Sequence, residues 1–251
     1  VVNCAGRTRS IIGAQSLINA DVPNPVMALE NGTMGWKLQG FAWEQQQARR
    51  VAKGTPQDFA TAFTRAEHVA ARAGVGTIDG PTFRAWREEA VRKTLYVFDV
   101  RPLDEYLSGH IEGAVPVEGV QLVQKTDNYV AVWNARVVIT DDDGVRARLT
   151  AAWLAQMGFD NVAVLAHDAN VPRSASGPYH LEPLFAPPPH DVIPDADLAE
   201  EIRADAVTVI DLSRSLAFKA GHIPGAWFAI RSRLAANLAR IPLTGRIAEL
   251  E

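Results

Sequence analysis

One stretch of this chain is written twice. Asp99 to Ala114, which ends Gly109-His110-Ile111-Glu112-Gly113-Ala114, returns 112 residues later as Asp211 to Ala226, ending Gly221-His222-Ile223-Pro224-Gly225-Ala226. Each copy follows a short apolar run, Leu95 to Phe98 in one and Val207 to Ile210 in the other, which reads as a buried strand. A second pair of segments repeats at an offset of 137: Val1 to Arg9 aligns with Val138 to Arg146, and each leads into a helical pattern and then an apolar strand, at 25–29 and 161–165. A chain patterned this way folds as repeated units, and strands alternating with helices imply an α/β fold with a parallel sheet flanked by helices.

Spacing orders the units. Asp99 and Asp141 lie 42 residues apart; the same interval counted back from Cys4 falls before Val1, and counted forward from Asp211 reaches position 253. The expectation is the C-terminal half of one module over 1–45, a helical connector over 46–76 and a complete module over 77–168. A Pro-rich linker over 169–191 then leads to the N-terminal half of a third module over 192–251. Chain missing at both ends is preferred to pairing of the two halves as one permuted module. In the connector, Gly54-Thr55-Pro56 precedes a helix over 57–73, and a further helix is expected over 81–91. Pro172, Pro178, Pro183 and Pro187-Pro188-Pro189 favour extended backbone in the linker.

Cys4 stands at the end of the first apolar segment, in Cys4-Ala5-Gly6-Arg7-Thr8-Arg9-Ser10, before a helix expected over 11–20. A strand, loop and helix in this order bring loop amides and a helix N-terminus to the sulfur, where they favour an anion and lower a thiol pKa. Cys4 is the single cysteine of 251 residues, so it has no intrachain disulfide partner and no companion for a multi-cysteine metal site. Arg7 and Arg9 add positive charge, and Ser10 is placed to cap the helix or to hydrogen-bond the sulfur. The chain carries a net charge of −4 with no basic cluster, which disfavours nucleic acid, and no apolar run approaches the roughly 20 residues of a membrane span. One free cysteine suits a reducing compartment, so a cytoplasmic location is expected.

These motifs resemble the rhodanese (thiosulfate:cyanide sulfurtransferase) family. The resemblance rests on Asp99-Val100-Arg101, Glu105-Tyr106 and Gly109-His110-Ile111-Glu112-Gly113-Ala114, on the four residues between Cys4 and Arg9, and on Gly32 to Gly40 with Trp36 between. It implies tandem rhodanese-like modules and a sulfurtransferase in which Cys4 is the catalytic nucleophile and carries a persulfide. Ala5, Gly6, Arg7, Thr8 and Arg9 would bind the donor. Thiosulfate or a similar anion would supply the sulfur, cyanide or a thiol would accept it, and no cofactor or metal is implied. Asp99 and Arg101 look like the family's internal ion pair, His110 and His222 take structural roles, and Trp36 packs in the core beside the loop.

The complete module has Asp141 where the first has Cys4. A carboxylate cannot hold a persulfide, so this module reads as inactive, with Asp141-Asp142-Asp143 a solvated acidic turn. The third copy departs further, with Ser213 and Ala217 in place of the signature Arg and Glu. Two other classes stand beside sulfur transfer. One is a non-catalytic scaffold or regulatory assembly of rhodanese modules. The other is a Cys-based phosphatase or arsenate reductase, against which the short Cys4–Arg9 spacing argues.

Overall fold

The computed structural model describes residues 1–46, 49, 51–52, 54–180 and 191–250. The chain divides into two units, Val1–Leu181 and Glu182–Glu251.

The first unit opens with the cysteine loop, α1 (Thr8–Asn19) and the short α2 (Gly32–Leu38). The expected strands at the start and at 25–29 come down to one parallel bridge, Val2 with Ala28, closed by Val2 N–H to Met27 O at 2.7 Å and Leu29 N–H to Val2 O at 2.9 Å. The connector holds α3 (Pro56–Arg72), one residue earlier at each end than expected. Thr55 and Asp58 form a reciprocal capping box there, and Pro56, lacking an amide hydrogen, fits the first turn.

A five-stranded parallel sheet follows. Its elements are β1 (Gly76–Ile78), α4 (Gly80–Glu88), β2 (Leu95–Asp99), α5 (Leu103–Ser108), β3 (Val115–Pro116), α6 (Gly119–Gln124), α7 (Thr126–Tyr129), β4 (Arg136–Thr140), α8 (Val145–Gln156) and β5 (Val162–Leu165), with strand order β1-β5-β4-β2-β3. The helix expected over 81–91 is α4 followed by one tight turn, Glu89–Val91. Because both faces are covered, the central strands are apolar almost throughout. Alternate residues serve opposite layers: Val137 and Ile139 join Phe98, Leu122 and Leu154 on one side, while Val138 meets Phe83, Ile111 and Leu165 on the other. Helix α8 is buried on two faces. Ala147, Ala151 and Leu154 lie on the sheet, and Ala152 packs with Val69 of α3 and with Ala20 just past α1. Trp153 Nε1–H also donates to Ser16 Oγ at 2.8 Å, so the cysteine-bearing segment rests on the complete sheet.

The segment after β5 turns back along the sheet. His110 and Ala175 exchange backbone hydrogen bonds of 2.8 and 3.2 Å, so this part of the expected linker is extended and tied down. Pro183 and Pro187-Pro188-Pro189 lie outside the described residues.

The second unit contains α9 (Asp195–Arg203), β6 (Val207–Asp211), α10 (Ser215–Ala220), β7 (Trp227–Phe228), α11 (Leu234–Leu238) and β8 (Arg246–Leu250). Its strands form a parallel sheet in the order β7-β6-β8. β6 has β7 and β8 as its neighbours, and in the first unit Val2 has Ala28. The repeat is faithful in detail. His110 Nδ1 lies 2.9 Å from Tyr106 O with its ring stacked on Tyr106 at 3.7 Å, and His222 Nδ1 lies 2.8 Å from Phe218 O with its ring on Phe218 at 3.8 Å. Gly113 and Gly225 both need the left-handed region, at φ 76° and 84°. Register also corrects the count of 42. Asp211 pairs with Leu250 as Asp99 pairs with Thr140, so the residue following the third copy's strand in sequence is number 251, not 253.

Candidate active site

The cysteine loop is shaped from behind by α2. Thr33 and Met34 N–H donate to the carbonyls of Cys4 and Ala5, both at 2.9 Å, and Thr33 Oγ1–H reaches Cys4 O at 3.3 Å. Asn3 Nδ2–H holds Thr33 Oγ1 at 2.9 Å. This close approach requires glycine at 32: its φ is 58°, and a Cβ there would sit 2.2 Å from Gly6 O and 2.3 Å from Cys4 O.

The thiol donates to Ser10 on its other side. Ser10, 1% exposed, lies with Oγ 3.6 Å from Cys4 Sγ. The Cys4 thiol is held below its ordinary pKa first by this hydroxyl. Desolvation opposes the shift, while the Ser10 and Gly6 amides and the charge of Arg9 add to it. Thr8 opens α1, Arg7 is exposed and Arg9 half-buried. Neither arginine has an ion-pair partner among the described residues. The site is thus a half-buried thiol, amide donors and two guanidiniums without an ion-pair partner among the described residues, Arg7 on the loop and Arg9 in the first turn of α1, a combination suited to a nucleophile attacking an anion.

Trp36 is not in the core. It is 42% exposed, donates Nε1–H to Ala42 O at 2.8 Å, and packs on Phe41 with ring centroids 4.8 Å apart. The reason is that α2 ends at Leu38 and the chain reverses at Gly40, so the aromatic cluster folds on itself. Gly32, Thr33 and Met34 are the part of that segment that meets the cysteine loop. The tryptophan is conspicuous in the sequence, whereas the backbone amides that orient the loop leave only the Asn31-Gly32 pair, itself a turn signal.

In the complete module the same loop is filled from within. Asp141 is 1% exposed, and its two carboxylate oxygens accept Gly144 N–H and Ala147 N–H, each at 2.8 Å. It is therefore not a solvated residue; Asp142 is exposed and Asp143 accepts Val145 N–H at 2.9 Å. Burial, with the Asp143 charge adding to it, pushes the Asp141 carboxyl up to about 6 against the pull of its two amide donors. Arg146, which aligns with Arg9, is neutralised by Glu105 (2.8 and 3.1 Å) and Asp142 (2.6 Å). Arg173, from the returning segment, reaches Asp141 O, Thr140 Oγ1 and Asp99 Oδ2. Asp99 and Arg101 form the expected buried pair, with Nε to Oδ1 at 2.9 Å and Nη2 to Oδ2 at 2.7 Å, and Arg101 also donates to Gly109 O at 2.7 Å. In the third copy Ser213 replaces that arginine, and Asp211 keeps the backbone bond from Ser213 N–H at 2.8 Å. Among the described residues no group of three or more His, Cys, Asp or Glu side chains converges to hold a metal, and no helix is long and apolar enough to cross a membrane.

A parallel α/β sheet, a buried Asp–Arg brace after its second strand and a loop leading into the helix after its fourth define a class of module. Residues 83–169 match the family model of the rhodanese-like domain, and the module they span belongs to that family. The chain is similar at 43% identity and a TM-score of 0.87 to a thiosulfate sulfurtransferase from Pseudomonas aeruginosa. That match covers 98% of this chain and 46% of the other, so the chain spans less than half its relative's length. A slighter likeness is to SseA from Escherichia coli, a 3-mercaptopyruvate sulfotransferase of rhodanese fold, at 19% identity and a TM-score of 0.28 over 62% of this chain and 75% of that one. No curated protein matches the chain.

Proposed function

We propose that the chain is a sulfurtransferase that draws sulfane sulfur from thiosulfate through a persulfide on Cys4. The observation that carries this reading is the contrast between the two loops. Close to Cys4 in sequence, Arg7 and Arg9 have no ion-pair partner among the described residues, and the thiol is held toward thiolate, with the charge of Arg9 contributing. Beside Asp141, a carboxylate occupies the amides and Arg146 is neutralised by two acids. One loop is suited to an incoming dianion, and the other already holds an anion of its own.

In the first step the Cys4 thiolate attacks the outer sulfur of thiosulfate. The S–S bond of the donor breaks, sulfite leaves with its electron pair, and Cys4 carries a persulfide anion. Arg7 and Arg9 would offset the charge of the sulfonate as it approaches and departs, with Ala5, Gly6 and Thr8 supplying loop backbone around it. In the second step cyanide or a thiolate attacks the terminal sulfur and the Cys4 thiolate is regenerated, so the cycle is ping-pong. The likeness to the Pseudomonas thiosulfate sulfurtransferase supports thiosulfate as the donor class.

The same reading divides the chain into a catalytic part over 1–45, a connector over 46–76, a non-catalytic module over 77–168, a linker over 169–191 and part of a third module over 192–251. Thiocyanate formation from thiosulfate and cyanide tests the function: wild type is expected to turn over and Cys4→Ser to show none. Activity undiminished in Cys4→Ser contradicts the role of Cys4, and an inactive wild type favours the scaffold reading that Asp141 already supports for the complete module.

A further inference from the structure

Ser10 acts on the nucleophile twice: its hydroxyl lies against Cys4 Sγ, and its amide helps to hold the thiol below its ordinary pKa. A hydroxyl has one proton to give. With Cys4 protonated, the thiol donates to Ser10 Oγ at 3.6 Å, and the Ser10 proton goes to Arg7 O at 2.8 Å. Arg7 O also accepts Ile11 N–H at 3.3 Å, so it keeps a partner if the hydroxyl leaves it. Ser10 is 1% exposed, which leaves no open solvent to take the hydroxyl's place.

The second copy of the loop supplies an independent comparison. Ser10 aligns with Ala147 at the same offset of 137 that aligns Cys4 with Asp141. Ala147 N–H donates to Asp141 as the Ser10 amide faces Cys4, so the amide is common to both loops. The hydroxyl is present where the sulfur is and absent where a carboxylate stands.

We infer that Ser10 is a positioning residue for the Cys4 nucleophile: its hydroxyl donates to Arg7 O while the thiol is protonated and turns to donate to the sulfur once the thiolate forms. The thiol proton leaves to water or a buffer base, the S–H···O contact is lost and an O–H···S⁻ bond replaces it. No atom of Ser10 is transferred. The charged group that acts on the sulfur is Arg9, in the first turn of α1; α2 brings Gly32, Thr33 and Met34 to the loop backbone, none of them titratable. This inference rests on the reading of Cys4 as the nucleophile, yet its test does not require sulfur transfer.

Because Cys4 is the single cysteine, iodoacetamide alkylation of the 251-residue chain followed against pH reads its thiolate alone. Ser10→Ala is expected to move the titration upward, leaving about tenfold less thiolate at a pH below both midpoints, the consequence of one pKa unit. Ala147 in the folded second loop shows that alanine fits this position. Ser10→Thr, which restores a hydroxyl, is expected to recover most of the wild-type profile, and ultraviolet thiolate absorbance should report the same midpoints. An alkylation profile for folded Ser10→Ala that overlays wild type, or a Ser10→Thr profile no nearer wild type than Ser10→Ala, overturns the inference. Sulfur uptake from thiosulfate, measured separately by mass, distinguishes the two readings. A shifted alkylation profile in a chain that takes no sulfur upholds Ser10 and removes the sulfurtransferase; sulfur uptake with an unshifted profile does the reverse.

Discussion

Asp141 is both buried and charged, and its amide donors offset only part of its desolvation. Its folded pKa of about 6 lies above its ordinary 3.8, so the folded state binds its proton more tightly than the unfolded state. That contribution to stability is fully present below the unfolded pKa and is lost as pH rises through about 6. Asp58 and Asp79 have lowered pKa values, from their capping bonds to Thr55 and Thr82 first, so their contributions fall away only in more acidic solution. Urea unfolding of wild type is therefore expected to gain about 1 kcal/mol from Asp141 between about pH 7 and pH 5, and Asp141→Ala should lack this increment. Equal pH slopes in the two proteins would show that the carboxyl titrates normally. Arg101 offers a sharper loss. Removing it leaves Asp99 buried with Arg173 as its remaining cation, and Arg101→Ala is expected to cost about 3 kcal/mol in the same assay. A loss near zero would mean Arg173 substitutes fully.

At the scale of elements, the reactive loop depends on a helix that contributes no reactive side chain. α2 takes up the Cys4 and Ala5 carbonyls, and Gly32 allows the contact. Gly32→Ala must hold a left-handed φ, by itself worth about 1–2 kcal/mol, and must also push a methyl group against two backbone oxygens. Lower stability and slower Cys4 alkylation are expected together; wild-type values of both would separate α2 from the site. Much of this level was legible in sequence. Short apolar runs announced β2, β5 and β6, and Gly54-Thr55-Pro56 announced the start of α3. What escaped were contacts between distant segments. Trp36 looked like core because nothing local shows that α2 stops after two turns, and Asp141 looked solvated because an acidic triplet does not reveal which member turns inward. Arg173 sits in a proline-bearing stretch whose composition says extended but not where it docks.

For the whole molecule, duplication separates two fates of one loop. The offsets of 112 and 137 could be read directly; matching histidine stacks and strand registers show shared structure at the first, and α1 (Thr8–Asn19) coincides with α8 (Val145–Gln156) at the second. The loops themselves differ at six of the seven positions from Cys4 to Ser10, among them Cys4 against Asp141, Arg7 against Gly144 and Ser10 against Ala147; the shared arginine has no ion-pair partner among the described residues as Arg9 and is held by Glu105 and Asp142 as Arg146. Restoring the sulfur alone should not restore function. In a Cys4→Ser background, Asp141→Cys is expected to gain little sulfur from thiosulfate, because Asp142 and Asp143 still oppose a thiolate and Arg146 remains neutralised. Uptake matching wild type would show that the loop's charge matters less than its shape.

The central claim is that Cys4 accepts sulfane sulfur, and the intact mass of the chain after thiosulfate treatment tests it most directly. Wild type should gain the mass of one sulfur atom, lose it on addition of cyanide or a thiol, and show neither change as Cys4→Ser. A wild-type mass unchanged by thiosulfate, or an equal gain in Cys4→Ser, would contradict the account.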